Sequence, residues 1–137
     1  MTVLPALLDT DILSAITRQD PVVIPKAQTY LVAQERFTFS IITQYEILRG
    51  LKAKGATKQL AAFDRFCDVN TVLPLTDEAI IKASDVYAVL RKRGELIGDA
   101  DILIASTALT SGLFVVTNNL KHFQRIPELQ IQNWLQL

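Results

Sequence analysis

The segment VLPALLDTD, residues 3–11, decides the fold, because an apolar run ends there in two acids one residue apart. A short apolar run bounded by a charged residue is typical of a buried strand. Pro5 cannot donate to a sheet ladder, so the paired part of the strand is expected at Ala6, Leu7 and Leu8. The sequence therefore predicts a buried strand whose carboxyl end carries Asp9 and Asp11.

Similar strand patterns alternate with helical periodicity along the rest of the chain. Further strands are predicted at residues 37–41, 71–75, 113–116 and 129–131. Helices are predicted at residues 11–17, 21–34, 43–54, 57–67 and 99–109, with another after Thr76 whose apolar face is Ile80, Ala83, Tyr87 and Leu90. Strands separated by helices pair in parallel and are covered on both faces. We predict a three-layer α/β/α sandwich with a central, mostly parallel sheet.

Length and composition restrict the class of protein. The 137 residues, half of them hydrophobic, suit one domain over residues 1–137. The net charge is zero, so contacts to nucleic acid must come from local basic groups. A single cysteine excludes an internal disulfide and a multi-cysteine zinc site. No signal peptide and no apolar stretch of roughly 20 residues is present, so we expect a cytoplasmic protein with no membrane partner.

Several acidic and amide side chains fall at the carboxyl ends of the predicted strands, where open parallel sheets form their functional crevice. They are Asp9 and Asp11 after the first strand, Glu46 on the helix after the second, Asp99 and Asp101 at the start of helix 99–109, and Thr117, Asn118 and Asn119 after strand 113–116. Taken singly, Asp11 and Asp99 could cap helices, and Glu46 could pair with Arg49 on the surface. Taken together, several carboxylates at one edge repel one another unless a cation lies between them. We predict a site for Mg²⁺ or Mn²⁺, which prefer hard oxygen ligands.

An acid-only site is suited to metal-assisted attack of water on a phosphodiester. His122 is the only histidine, so a histidine-rich zinc site is excluded. We expect His122 to be a solvent-exposed residue among charged neighbours, with a contact to RNA as the alternative.

The chain resembles the PIN-domain family in four motifs that occur in the same order along the sequence. The motifs are Leu7-Leu8-Asp9-Thr10-Asp11-Ile12, Thr43-Gln44-Tyr45-Glu46-Ile47, Ile97-Gly98-Asp99-Ala100-Asp101-Ile102-Leu103-Ile104-Ala105, and Val115-Val116-Thr117-Asn118-Asn119 followed by His122-Phe123-Gln124-Arg125-Ile126. The ending Ile131-Gln132-Asn133-Trp134 is also similar, so the likeness covers essentially the whole chain. The resemblance is to ribonuclease toxins of the VapC type.

The resemblance implies an endoribonuclease toxin of a type II toxin–antitoxin system, dependent on Mg²⁺ or Mn²⁺, dimeric and neutralised by a bound antitoxin. It assigns catalytic roles to Asp9, Glu46 and Asp101, with Asp9 and Asp101 as the metal ligands. The secondary candidates are Asp99, Thr117, Asn118 and Asn119, and Asp101 ranks above Asp99. Asn119 occupies a position that is acidic in many PIN domains, so the resemblance does not decide whether the site binds one metal ion or two. The Asn118-Asn119 variant is similar to the subgroup that cuts initiator transfer RNA.

Local basic residues near these motifs are the candidates for RNA binding. They are Arg49, Lys52, Lys121 and Arg125, whose contacts to phosphates would position a strand without selecting its sequence. The alternative for Lys52 and its neighbours is an ordinary solvated helix face.

Two other functions remain open on the sequence alone. A phosphatase of the haloacid dehalogenase type would use Asp9 as nucleophile and Asp11 as acid/base. Its last motif would place an acid four residues after Asp99, where this chain has Leu103. A non-catalytic interaction module, in which the acids are structural, is the second alternative.

Overall fold

Five short strands and seven helices make up residues 3–136, the part of the chain that the computed structural model describes. The strands are β1 (Ala6–Leu8), β2 (Thr38–Ser40), β3 (Thr71–Leu73), β4 (Phe114–Val116) and β5 (Ile131–Gln132). The helices are α1 (Thr10–Thr17), α2 (Ile24–Gln34), α3 (Ile41–Lys54), α4 (Thr57–Val69), α5 (Asp77–Arg93), α6 (Asp99–Thr110) and α7 (Leu120–Phe123).

All of the strand pairs are parallel. β4 lies between β1 and β5, and β2 pairs with β3. β1 and β2 are neighbours in space, although the ladders in residues 3–136 form two separate groups of three and two strands. The predicted α/β class with a central parallel sheet is confirmed. The register sets Leu8 opposite Val116, so β1 and β4 end at the same edge of the sheet.

Helices cover both faces of β1, which accounts for the three layers. Leu8 packs with Ile12 and Trp134 in one buried cluster, whereas Leu7 packs with Leu90 and Ile104 in another. Successive side chains of a strand point to opposite faces, so the two clusters are the two sides of the sheet. Both leucines are fully buried, as an uninterrupted apolar strand requires.

Some predicted boundaries were wrong, each for a local reason. Strand 37–41 ends at Ser40, because the Ser40 hydroxyl accepts a hydrogen bond from the Thr43 amide and caps α3, which begins at Ile41 rather than Thr43. Strand 71–75 ends at Leu73, immediately before Pro74. Helix 21–34 begins at Ile24, with Pro25 in its first turn. The last strand covers Ile131–Gln132 rather than residues 129–131.

The apolar face predicted for the helix after Thr76 is also partly wrong. The buried residues of α5 are Ala79, Ala83, Val86 and Leu90. Ile80 is 45% and Tyr87 is 38% exposed, so the buried stripe lies one residue away from the predicted one at these two positions. As a result, α5 presents apolar side chains to solvent.

Within residues 3–136, no helix has both the length and the hydropathy needed to cross a membrane.

Candidate active site

Asp9 lies directly after β1, at the edge where β1 and β4 end together. Its backbone amide donates to the Val116 carbonyl at 2.8 Å, which extends the pairing by one residue. Its side chain caps α1: one carboxylate oxygen, Oδ1, accepts from the Thr10 amide at 2.8 Å. The other, Oδ2, accepts from the Thr117 hydroxyl at 2.8 Å. Asp9 is only 5% exposed, so the sheet and these two donors hold the carboxylate in one orientation.

The turn after β4 is bonded to both acids of the first motif. The Thr117 oxygen that donates to Asp9 also accepts from the Asn119 amide at 2.9 Å. The Asn118 amide donates to Oδ2 of Asp11 at 3.0 Å, and the Asn118 side-chain oxygen accepts from Asn133 at 3.0 Å. The three residues predicted after strand 113–116 therefore line the same edge as Asp9.

Glu46 reaches this edge from α3 through Thr10. The Thr10 hydroxyl donates to Oε1 of Glu46 at 2.6 Å and lies 3.1 Å from the Thr43 hydroxyl. The other carboxylate oxygen of Glu46 lies 3.7 Å from Arg49, so the predicted surface pair also forms. Glu46 thus has one oxygen held inside by Thr10 and one facing an exposed cation.

Asp101, in the first turn of α6, contacts His122 on α7. Oδ2 of Asp101 lies 3.1 Å from Nδ1 of His122, and the same Nδ1 lies 2.8 Å from the side-chain nitrogen of Asn119. Asp99 is exposed and makes no side-chain hydrogen bond or ion pair within residues 3–136. The structure therefore brings Asp101, rather than Asp99, to the other acids.

Burial and mutual repulsion change the acidity of this cluster. The pKa of Asp9 is raised from 3.8 to about 7, chiefly by burial and next by the charge of Asp11. The hydrogen bonds from Thr117 and Thr10 lower it, and Asp101 raises it. Burial also raises the pKa of Asp11, opposed by the Asn118 amide and assisted by Asp101. Asp9, Asp11 and Asp101 are close enough to repel one another, so a cation bound among them would offset part of this repulsion.

The donor chemistry of this cluster fits a hard divalent ion. Oδ1 of Asp11 is buried and has no hydrogen-bond donor within the described part of the chain. Across residues 3–136, no three His, Cys, Asp or Glu side chains are already arranged around a common ion position. Mg²⁺ usually keeps several waters and binds proteins through one or two carboxylates. A small number of carboxylate oxygens, one of them unpaired, is consistent with that mode of binding.

The predicted RNA-binding cations differ in their freedom to contact a ligand. Lys52, in the last turn of α3, and Lys121, in α7, are exposed. The guanidinium of Arg49 lies 5.2 Å from the centre of the Tyr45 ring and is 59% exposed. Arg125 donates to the carbonyls of Glu95 and Leu96 at 3.3 Å, so it ties the segment before α6 to the one after α7.

Two residues of the site were not predicted from the sequence. Thr10 was missed, although its position between Asp9 and Asp11 in the first motif could have indicated that it belongs to the site. The expectation that His122 is a simply exposed residue was wrong, because its ring is 60% covered and contacts Asp101 and Asn119. Its partner Asp101 is 21 positions away, so no local pattern could have indicated the contact.

The chain is similar in sequence and fold to known proteins. The profile of the PIN domain matches residues 6–129. The chain is 36% identical over 100 residues to the tRNA(fMet)-specific endonuclease VapC of Salmonella typhimurium, covering 72% of this chain and 76% of that one. It is 30% identical over 130 residues to ribonuclease VapC2 of Haemophilus influenzae, covering 94% and 97%. A crystal structure of VapBC2 from Rickettsia felis bound to promoter DNA contains a chain that superposes with a TM-score of 0.84 and 26% identity, covering 96% and 99%.

A parallel α/β sandwich with a carboxylate cluster at the carboxyl edge of its sheet defines the class of this protein. Within that class, the chain belongs to the PIN-domain family and is a relative of the VapC ribonucleases.

Proposed function

We propose that this chain is a metal-dependent endoribonuclease toxin of a toxin–antitoxin pair. The observation that carries the proposal is the gathering of Asp9, Asp11 and Asp101 at one edge of the sheet, with the pKa of Asp9 raised to about 7. Relatives over most of the chain are ribonucleases by name, which supports RNA as the substrate. The cofactor is Mg²⁺ or Mn²⁺.

Each acid has a separate task in this proposal. Asp9 and Asp101 are the ligands of the ion, and Glu46 assists them by orienting water from the Thr10 side of the site. When bound, the ion supplies the positive charge that acidifies water and neutralises charge on the phosphodiester. Thr117 holds Asp9 in position, and the Asn118 and Asn119 turn lines the place where a phosphate enters.

Exposed cations beside the site are suited to holding the RNA backbone. Arg49 and Lys52 follow Glu46 along α3, and Lys121 follows Asn119 on α7. Contacts of this type position a nucleic acid and weaken with salt. Arg125 acts indirectly in the proposal, since its guanidinium is already bonded to the segment before α6. Transfer RNA is the first substrate to test, because the Salmonella typhimurium relative is specific for tRNA(fMet).

A groove between α1, α3 and α4 is the proposed docking place of the antitoxin. It encloses about 510 Å³ and is lined by apolar side chains including Ile47, Leu51 and Phe63. Thr10 and Glu46 also line it, so the groove opens onto the acid cluster. An antitoxin segment in this groove would cover the catalytic acids. The partner chains in the structures of VapBC relatives support an antitoxin as the occupant.

A homodimer is part of the same proposal. The exposed apolar side chains of α5, among them Ile81 at 64% exposure, are the proposed contact surface. Sedimentation of Ile81→Glu should give a monomer, whereas Val32→Glu on α2 should leave the dimer intact. A wild-type chain that sediments as a monomer at micromolar concentration would contradict the dimer.

Cleavage of a structured RNA pool that includes transfer RNA tests the activity. We expect cutting with Mn²⁺ and none with a chelator. Asp101→Asn should lower the rate on the order of 100-fold or more, because transition-state charge is stabilised inside the site. Asp99→Asn is the matched control, an exposed acid two residues away, and should cut as the wild type does.

The alternatives make different predictions in the same experiment. Membership of the PIN-domain family leaves the phosphatase without support, and release of phosphate from small esters would be needed to revive it. Intact RNA with every sample, despite bound metal, would favour the interaction module. Cutting that persists in Asp101→Asn would mean that the acids are wrongly assigned.

A further inference from the structure

His122 faces the acid cluster at close range. α7 begins directly after Asn119, and the buried Phe123 anchors it against the core. This anchoring turns Nδ1 of His122 toward Asp101, 3.1 Å away, and toward the Asn119 amide, 2.8 Å away. The ring is 40% exposed, so it lies at the mouth of the site rather than in the core.

The two contacts of Nδ1 cannot both be hydrogen bonds as the side chains stand. If Nδ1 carries a proton, it can donate to Asp101 but cannot accept from the Asn119 nitrogen. If it carries a lone pair, it can accept from Asn119 but faces the Asp101 carboxylate without a proton between them. Turning the Asn119 amide would instead present its oxygen to the same point. In that arrangement two oxygens face Nδ1, and either a proton on Nδ1 shared between them or a cation bound by all three atoms satisfies the contacts.

The separation of the two atoms fits a shared ion. Neighbouring ligands of an octahedral divalent ion, each 2.0–2.1 Å from the metal, lie about 3 Å apart. Nδ1 of His122 and Oδ2 of Asp101 are 3.1 Å apart. Both are therefore already at the spacing of adjacent ligands.

We infer that His122 is a nitrogen ligand of the divalent ion, beside Asp101, and that it shifts the preference of the site from Mg²⁺ toward Mn²⁺. The inference rests on the proposed function, since it concerns the ion of the same site. Mg²⁺ is a hard ion that prefers oxygen, whereas Mn²⁺, which also binds carboxylates, belongs to the first-row transition ions that bind sites of mixed nitrogen and oxygen ligands. One imidazole among oxygen ligands thus favours Mn²⁺ over Mg²⁺.

The first test uses the wild-type chain with Mn²⁺ and pulsed electron paramagnetic resonance. His122 is the only histidine in the sequence, so protein without a polyhistidine tag has one imidazole that can couple to the ion. We expect imidazole ¹⁴N modulation from bound Mn²⁺, absent in His122→Leu and retained in Lys121→Leu, its exposed neighbour. Stoichiometric Mn²⁺ without nitrogen coupling would overturn the inference and leave the metal-dependent nuclease standing. No Mn²⁺ binding at all would overturn both.

Calorimetric titration of both metals gives the second test. Loss of even an outer partner of a metal ligand costs about 10–100-fold in affinity, so His122→Leu should weaken Mn²⁺ binding by at least about tenfold. Mg²⁺ should weaken less, so that the ratio of the two affinities changes. An equal loss for the two metals would mean that His122 only orients Asp101. Circular dichroism of each variant confirms that the fold is retained.

Discussion

At the scale of single residues, ionised Asp9 lowers the stability of the folded protein. Its pKa is 3.8 as a free carboxyl and about 7 here. Between these values the folded state binds more protons than the unfolded state, so the free energy of unfolding falls as the pH rises from about 4 to about 7. A shift of about three units corresponds to roughly 4 kcal/mol. The ionised, metal-free site is therefore the least stable form of the protein.

Asp9→Asn should remove this pH dependence. In chelator, the free energy of unfolding of wild type should fall relative to that of Asp9→Asn between pH 5 and pH 8, by about 2–3 kcal/mol, because the rest of the loss lies below pH 5. Denaturant unfolding at the two pH values measures it, with the exposed Asp99→Asn as control. Mn²⁺ at pH 8 should restore the wild type and not the variant, because an ion that binds only the folded state stabilises it. Parallel pH profiles for the two proteins would contradict the assignment.

Thr10 orients the carboxylate of Glu46 through a hydrogen bond. Thr10→Val keeps the shape of the side chain but removes the 2.6 Å bond to Glu46. A hydrogen bond to a charged group is worth about 1.5–3 kcal/mol, so we expect cleavage to slow by roughly tenfold or more. Thr10→Ser retains the hydroxyl and should cut near the wild-type rate. Equal rates for the two variants would show that Glu46 does not need this bond.

At the scale of elements, α3 is positioned by Ser40, the residue that caps its start. Ser40 is buried and its hydroxyl accepts from the Thr43 amide at 3.1 Å, at the start of the helix that carries Glu46. Ser40→Ala should lower the free energy of unfolding by about 1 kcal/mol, the usual value of such a cap. Ser84→Ala, on the exposed side of α5, is the control and should change stability little. Thermal or denaturant unfolding of both variants measures the two changes, and equal stability of the two variants would contradict the role of the cap.

The elements also show how far the sequence predicts the structure. β1 was found with its paired residues, because Pro5 and the apolar run are local signals. Ile41 was assigned to a strand because it is β-branched and apolar, and only the bond between Ser40 and Thr43 makes it helical. The carboxylates were located because strand ends are visible in the sequence. The contact of His122 with Asp101 could not be predicted, since it depends on how α6 and α7 pack.

At the scale of the whole molecule, a substitution in the groove between α1, α3 and α4 can change the binding of the antitoxin without disturbing the fold. Gly50 lines it, and a Cβ added at Gly50 would meet no atom within 4 Å. Gly50→Leu should therefore fold normally and fill the groove. We expect inhibition by the antitoxin to weaken roughly tenfold or more, which is about 1.4 kcal/mol of binding. Ala53→Leu, exposed on the same helix and outside the groove, should be inhibited as the wild type is. Unchanged inhibition of Gly50→Leu would place the antitoxin elsewhere.

The pairing of the first strand with the fourth has a consequence for biosynthesis. Asp9 is synthesised early, but its Thr117 partner is 108 positions later, and β1 has no ladder partner until β4 exists. A ribosome adds about 5–20 residues per second, so the acid-bearing segment waits several seconds for the residues that orient it. The last strand, Ile131–Gln132, emerges later still. Until those residues are made, the acid-bearing segment of a growing chain has neither its ladder partner nor the hydroxyl that orients Asp9, so the carboxylate cluster is incomplete.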